Sequence, residues 1–208
     1  MLVFLYYLLI FLILNKIYFM RTILSTLILF FCMHSISAEE IVIYQGKASH
    51  FNEFLDGLTD AQFAIKYDTE EKIYYFFSSD IMNKGWVKLT EKQFVLFRNT
   101  LNKYLQWEKT AIEKQVEINK EFPESALSCD VIWKFGEDWY YSNLTMSFKF
   151  FSQSKTRHQF ILYSNNVSSS SNEFIDYKIE PFYFDKKHVS DLIDGISEES
   201  IKNIISEA

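Results

Sequence analysis

Cysteine, proline and glycine are scarce in this chain of 208 residues, with two, two and five copies. Such a composition excludes collagen and a disulfide scaffold, and the apolar content excludes a disordered tail. Basic residues are in deficit too: 21 Lys and Arg against 27 Asp and Glu leave a net charge of −6. With no basic excess to meet phosphates, composition argues against nucleic acid as a partner. What the chain does have is apolar and aromatic mass. At 49% apolar and 18% aromatic it can build a sizeable core.

The charge is unevenly spread. Residues 1–38 contain Lys16 and Arg21 and no acid, so the 170 residues that follow hold 19 basic and 27 acidic groups, a charge of −8. A chain of that length hides roughly 70% of its unfolded surface, enough for one self-standing domain over 39–208.

Residues 20–38 have the grammar of a secretory signal peptide. Met20-Arg21 is a basic start, Ile23–Met33 is an apolar stretch of 11 residues, and small residues follow before Glu39 and Glu40. Cleavage after Ser37 places Ser35 and Ser37 at the two recognition positions; cleavage after Ala38 places Ile36 at the inner one. Residues 1–19 carry a second apolar run, Met1–Leu14, that rises only about 21 Å as a helix, short of a roughly 30 Å hydrocarbon layer. They read either as an over-extended start upstream of Met20 or as part of an N-terminal anchor running from 1 to about 33. Cys32 has Phe30 and Phe31 before it rather than the small residues of a lipidation signal. Removal of the leader leaves Cys129 alone. Its strand parity with Val131, Trp133 and Phe135 predicts a buried structural thiol.

The exported part reads as mixed helix and strand. Ile41–Tyr44 is β-prone. Phe51, Phe54, Leu55 and Leu58 repeat at helical spacing, with Ser49 as a cap and Gly57 near the end, which predicts a short helix. Phe63, Ile65 and Tyr67 alternate with polar neighbours, Asp68–Glu71 turns, and Ile73–Phe77 returns as a hairpin; Trp86–Leu89 is a short strand. Thr90 and Gln93 make a capping box, with Leu89 stapled to Phe94. From there Phe94, Phe97, Leu101, Leu105 and Ile112 form one stripe, which predicts a helix to about Glu121, stopped by Phe122-Pro123. At about 45 Å that helix would overrun its sheet.

Ser128–Phe135, Trp139–Phe151, Arg157–Tyr163 and Phe174–Phe184 read as strands, the first two joined by a turn at Gly136 and the last two separated by a mobile Ser-rich stretch, 164–172. In the second of these, Leu144, Met146, Phe148 and Phe150 share one face, while Asn143, Thr145, Ser147 and Lys149 share the other. An antiparallel sheet with one wet side follows. Asp185 and Ser197 cap two short terminal helices. An internal echo aligns residues 89–101 with 184–196: an apolar strand end, a cap, then apolar positions at Phe94/Val189, Phe97/Leu192 and Leu101/Ile196.

Signatures of chemistry are sparse. The five glycines never lie close enough for a phosphate loop, no GxSxG elbow occurs, and His50, His158 and His188 are scattered singly, so no metal or cofactor is implied. His158 is the most suggestive histidine, in strand parity with Phe160 and Leu162; His50 and His188 read as surface residues near helix starts. Glu137 and Asp138 sit in a turn beside Trp139, Tyr140 and Tyr141, and acids next to exposed rings are a common way to build a sugar site. The candidate ligand-binding residues are therefore Glu137, Asp138, Trp139, Tyr141 and His158.

The resulting expectation is an α+β fold: a mostly antiparallel β-sheet packed by one long amphipathic helix and two short C-terminal helices. The function expected first is an exported, non-catalytic binding or structural module of the periplasm or cell envelope, with a protein or envelope component as partner. An envelope-directed carbohydrate hydrolase using those carboxylates, and a membrane-anchored structural protein, are the alternatives.

Overall fold

Apolar residues at every second position dominate the chain, and strands follow from them. The computed structural model describes residues 40–52, 56–79, 84–123 and 125–207. The signal-peptide, anchor and Cys32 readings lie outside the described residues. β1 (Glu40–Asn52), β2 (Gly57–Asp68), β3 (Ile73–Ser79) and β4 (Lys84–Leu89) form an antiparallel meander. Helix α1 (Glu91–Lys114) follows directly, then β5 (Asn119–Glu121), β6 (Leu127–Phe135), β7 (Asp138–Ser154) and β8 (Arg157–Ser164). β9 (Val167–Ser168) and β10 (Asp176–Tyr177) pair with each other; β11 (Phe182–Phe184) leads into α2 (Lys186–Gly195) and α3 (Glu198–Glu207). The fold is α+β, with one long helix and two short C-terminal ones, as the sequence predicts.

The main sheet closes on itself. In chain order β1, β2, β3, β4, β6, β7, β8 and β11 are each paired to the next, and β11 returns to β1; β5 lies on β7 as a ninth strand. Every pairing is antiparallel. The closing seam is thin: three register pairs join β11 to β8 and one, Ser49 to Tyr183, joins it to β1.

The inner face carries the core. Phe63, Ile65, Phe76, Val131, Trp133, Phe148, Phe150 and Phe160 are buried in one cluster with Phe94, Phe97, Leu101 and Tyr104 of α1 and Val189 and Leu192 of α2. α1 meets the sheet ring to ring. Phe94 stacks on Tyr74 at 3.7 Å between centroids, Phe97 lies edge-on to Phe76 at 4.8 Å, and Tyr104 packs against Phe150 and Phe160. The capping box at Thr90 and Gln93 forms in both directions. Asp185 caps α2 through His188 N–H, and Ser197 accepts from Ser200 N–H at the start of α3.

Each half of the ring has the same order. Four antiparallel strands end in an apolar residue, Leu89 or Phe184, then a cap, Thr90 or Asp185, then a helix. The echo between 89–101 and 184–196 falls on these two equivalent junctions.

Four expectations need correction. The helix over Phe51–Leu58 is instead a hairpin, in which Phe51 faces Leu58 and His50 faces Thr59 across β1 and β2. Asp56, just before β2, has φ 48°, and Gly57 pairs with Asn52. His50 accordingly lies in β1, half-buried, with Nδ1 bonded to the Pro181 carbonyl and its ring on Phe182.

α1 ends at Lys114, not near Glu121. Gln115 takes a left-handed conformation (φ 54°) that closes the last turn, β5 pairs with β7, and Phe122 returns to the core against Trp107. At 24 residues it is about 36 Å long, so the expected overrun is absent. The Ser-rich stretch is held rather than loose: Ser169 is buried, Ser170 N–H bonds to the Tyr141 carbonyl, and Ser168 Oγ bonds to Asp176. Finally, Phe174–Phe184 is strand only at 176–177 and 182–184; between them Ile179 is buried and its N–H bonds to Ser164 Oγ, a side chain.

Candidate functional site

Outward-facing residues of an antiparallel ring are ordinarily wet. Two on β8 are not. Gln159 and Ile161 alternate with the core residues His158, Phe160 and Leu162, so they face outward, yet they are only 4% and 8% exposed. They lie at the floor of a hollow of about 470 Å³. Such a volume falls within the roughly 300–1,000 Å³ of small-ligand pockets.

Register fixes the surroundings of this floor. Gln159 is opposite Phe151, and Ile161 sits between Lys149 on β7 and Tyr183 on β11. From across the seam the end of the β1–β2 hairpin contributes Phe51, Leu58 and, at the turn, Asp56 and Gly57. Gln153 completes the lining. The hollow thus joins the first half of the ring to the second.

Its chemistry is divided. Phe51, Leu58, Phe151, Ile161 and Tyr183 give an apolar wall, and Phe51 is 49% exposed despite its size. Gln159 Oε1 is a buried acceptor with no hydrogen-bond partner. A buried amide oxygen left unpaired costs about 1–3 kcal/mol, which a donor on a bound molecule would recover. Lys149 supplies a cation. Its register neighbour on β5, Glu121, accepts a hydrogen bond from the Tyr163 phenol instead. Burial, followed by that hydrogen bond and the Glu121 charge, pushes the Tyr163 phenol up to about 12.

The candidate residues from the sequence do not converge. His158 points the opposite way from Gln159, into the core. Its Nδ1 is 2.8 Å from Ser152 Oγ, its ring lies against Phe150, and Nε2 is buried without a partner. Ser152 Oγ also accepts from Ile118 N–H at 2.8 Å, so this pair helps tie β7 to the chain after α1. Glu137, Asp138, Trp139 and Tyr141 lie near the other end of β7, eleven to fifteen residues from Ser152, or about 36–50 Å along an extended strand. Trp139 and Tyr141 point outward, 54% and 57% exposed. Asp138 is on the opposite parity, with Tyr140 and Leu144, and Glu137 is 99% exposed beside Lys134. The rings and Asp138 therefore face away from each other.

Cys129 is 1% exposed, in line with its sequence reading, and burial followed by the Asp130 charge pushes its thiol up to about 12. Among the described residues no group of three or more His, Cys, Asp and Glu is placed to hold a metal ion, and no helix is long and apolar enough to cross a membrane. Compared with known proteins, the chain matches no family model, no curated protein and no solved structure.

Sequence reasoning missed the hollow. Lys149 was visible as the one charge on the wet face of its strand. Gln159 carried no signal, because its burial depends on a hairpin more than a hundred residues away.

Proposed function

We propose that this protein is an exported, non-catalytic binding module of the periplasm or cell envelope, with the outer hollow as its binding site. The unpartnered Gln159 Oε1 at the floor of that hollow carries the binding part of the reading. The leader grammar of residues 20–38 supports export.

Two measurements test the proposal. Fractionation of producing cells with N-terminal sequencing should find a chain starting at Ala38 or Glu39 outside the cytosol; an uncut chain dissolved in the cytosol overturns export. Titration with anilinonaphthalene sulfonate, an apolar fluorescent anion, should show one saturable site that Ile161→Lys abolishes while the fold persists. Dye binding that ignores this change overturns the hollow as the site.

A second reading, the envelope-directed carbohydrate hydrolase, is favoured by the exposed pair Trp139 and Tyr141 and weakened by the separation of His158 and Asp138 from those rings. It requires that replacing Glu137 and Asp138 by Gln and Asn abolish a glycosidase activity of the folded protein.

A further inference from the structure

The wall, the cation and the orphan acceptor together specify more than a generic ligand. Gln159 Oε1 needs an N–H or O–H donor. Lys149, which forms no ion pair among the described residues, needs an anion. Phe51, Leu58 and Ile161 offer a mixed aromatic and branched aliphatic wall, which suits a rounded apolar group. Asp56, at the left-handed turn on the rim, adds one carboxylate.

We infer that the hollow binds a short apolar peptide by its free C-terminus. The terminal carboxylate pairs with Lys149, the last peptide N–H donates to Gln159 Oε1, and the terminal side chain packs on Phe51, Leu58 and Ile161. Asp56 accepts the free amino group of a peptide short enough for that group to remain at the mouth. No bond is made or broken. The inference rests on the binding-site reading above and deepens it.

The test is calorimetric titration of the protein, as purified from its producing cell, with four probes: phenylalanyl-leucine, its C-terminal amide, maltose and indole. The free acid should bind about 10- to 100-fold more tightly than the amide, the range expected for one charge-assisted hydrogen bond. Lys149→Gln should erase that difference while leaving the thermal midpoint unchanged, since Lys149 is half-exposed on the outer face. Gln159→Leu should weaken both peptides equally. Should acid and amide bind alike, or Lys149→Gln preserve their difference, the peptide-carboxylate assignment is overturned. The same holds if maltose binds and the dipeptide does not. Indole entering while the acid shows no advantage leaves the hollow a binding site with a different ligand; if no probe binds at millimolar concentration, both readings fall.

Discussion

The phenol of Tyr104, on α1, donates its hydrogen bond to the main-chain carbonyl of His158, on β8, at 3.0 Å. The bond is buried, and it lies where β7 carries a bulge opposite β8, between Ser152 and Ser154. The helix thus gives a strand carbonyl beside that irregularity a buried side-chain donor. The next residue is Gln159, so one contact in the core helps set the backbone from which the floor of the hollow projects.

Tyr104→Phe removes that donor and little else. The His158 carbonyl loses its buried side-chain donor, at a cost of about 1–3 kcal/mol. Urea unfolding should show this as a lower midpoint at unchanged slope. A neutral effect would mean that water or a shifted strand replaces the phenol.

Two glycines should respond differently to alanine. Gly136 joins β6 to β7 at φ +62° with open space around it, so Gly136→Ala costs only the left-handed backbone, about 1–2 kcal/mol. At Gly85 an added Cβ would lie 2.0 Å from the Tyr177 hydroxyl, whose ring is stacked on Trp133 at 5.2 Å. Gly85→Ala should therefore cost about 1–3 kcal/mol by overpacking. It should also change the near-ultraviolet circular dichroism of the Tyr177–Trp133 pair, which Gly136→Ala leaves intact.

The tryptophans divide by face. Trp139 is 54% exposed, and Trp139→Ala should alter stability by no more than about 0.5 kcal/mol. Trp133 is fully buried, and Trp133→Ala should cost about 3–5 kcal/mol. Denaturation followed by circular dichroism measures both.

Alkaline pH should unfold the protein through its raised acids. The folded Cys129 thiol titrates near 12 rather than 9.0, and the Tyr75 and Tyr163 phenols near 12 rather than 10.0. Each group is neutral when protonated and its folded pKa is raised. The stability it contributes is whole below the unfolded pKa and is lost as pH climbs toward 12. The urea midpoint should hold steady with respect to these groups up to about pH 9 and then fall. In the same folded protein at pH 8, iodoacetamide should label Cys129 only at the rate of unfolding. Fast labelling would contradict its burial.

Local signals were legible wherever one short segment carries the whole instruction. The Thr90–Gln93 box, the hairpin of Phe63–Tyr67 with Ile73–Phe77, the Gly136 turn and the Asp185 cap all form as read. The misread helix at 51–58 has a clear cause: Phe51 and Leu58, seven apart, are neighbours on a helix face and equally partners across a hairpin. The end of α1 was hidden because a left-handed Gln115 leaves no compositional mark. The closed ring was illegible for another reason. Its seam rests on β11, three residues long, and only closure carries Phe51 to Gln159. A candidate site assembled from both ends of a chain cannot be found by scanning along it.

The seam also has a mechanical meaning. A barrel with one short stave is loosest at that stave, and the proposed ligand would straddle it, touching Phe51 and Leu58 on one side and Lys149 and Gln159 on the other. Its arrival would act as a clasp. Occupancy would then be felt through the whole hoop as resistance to springing open, so cargo and container would protect each other.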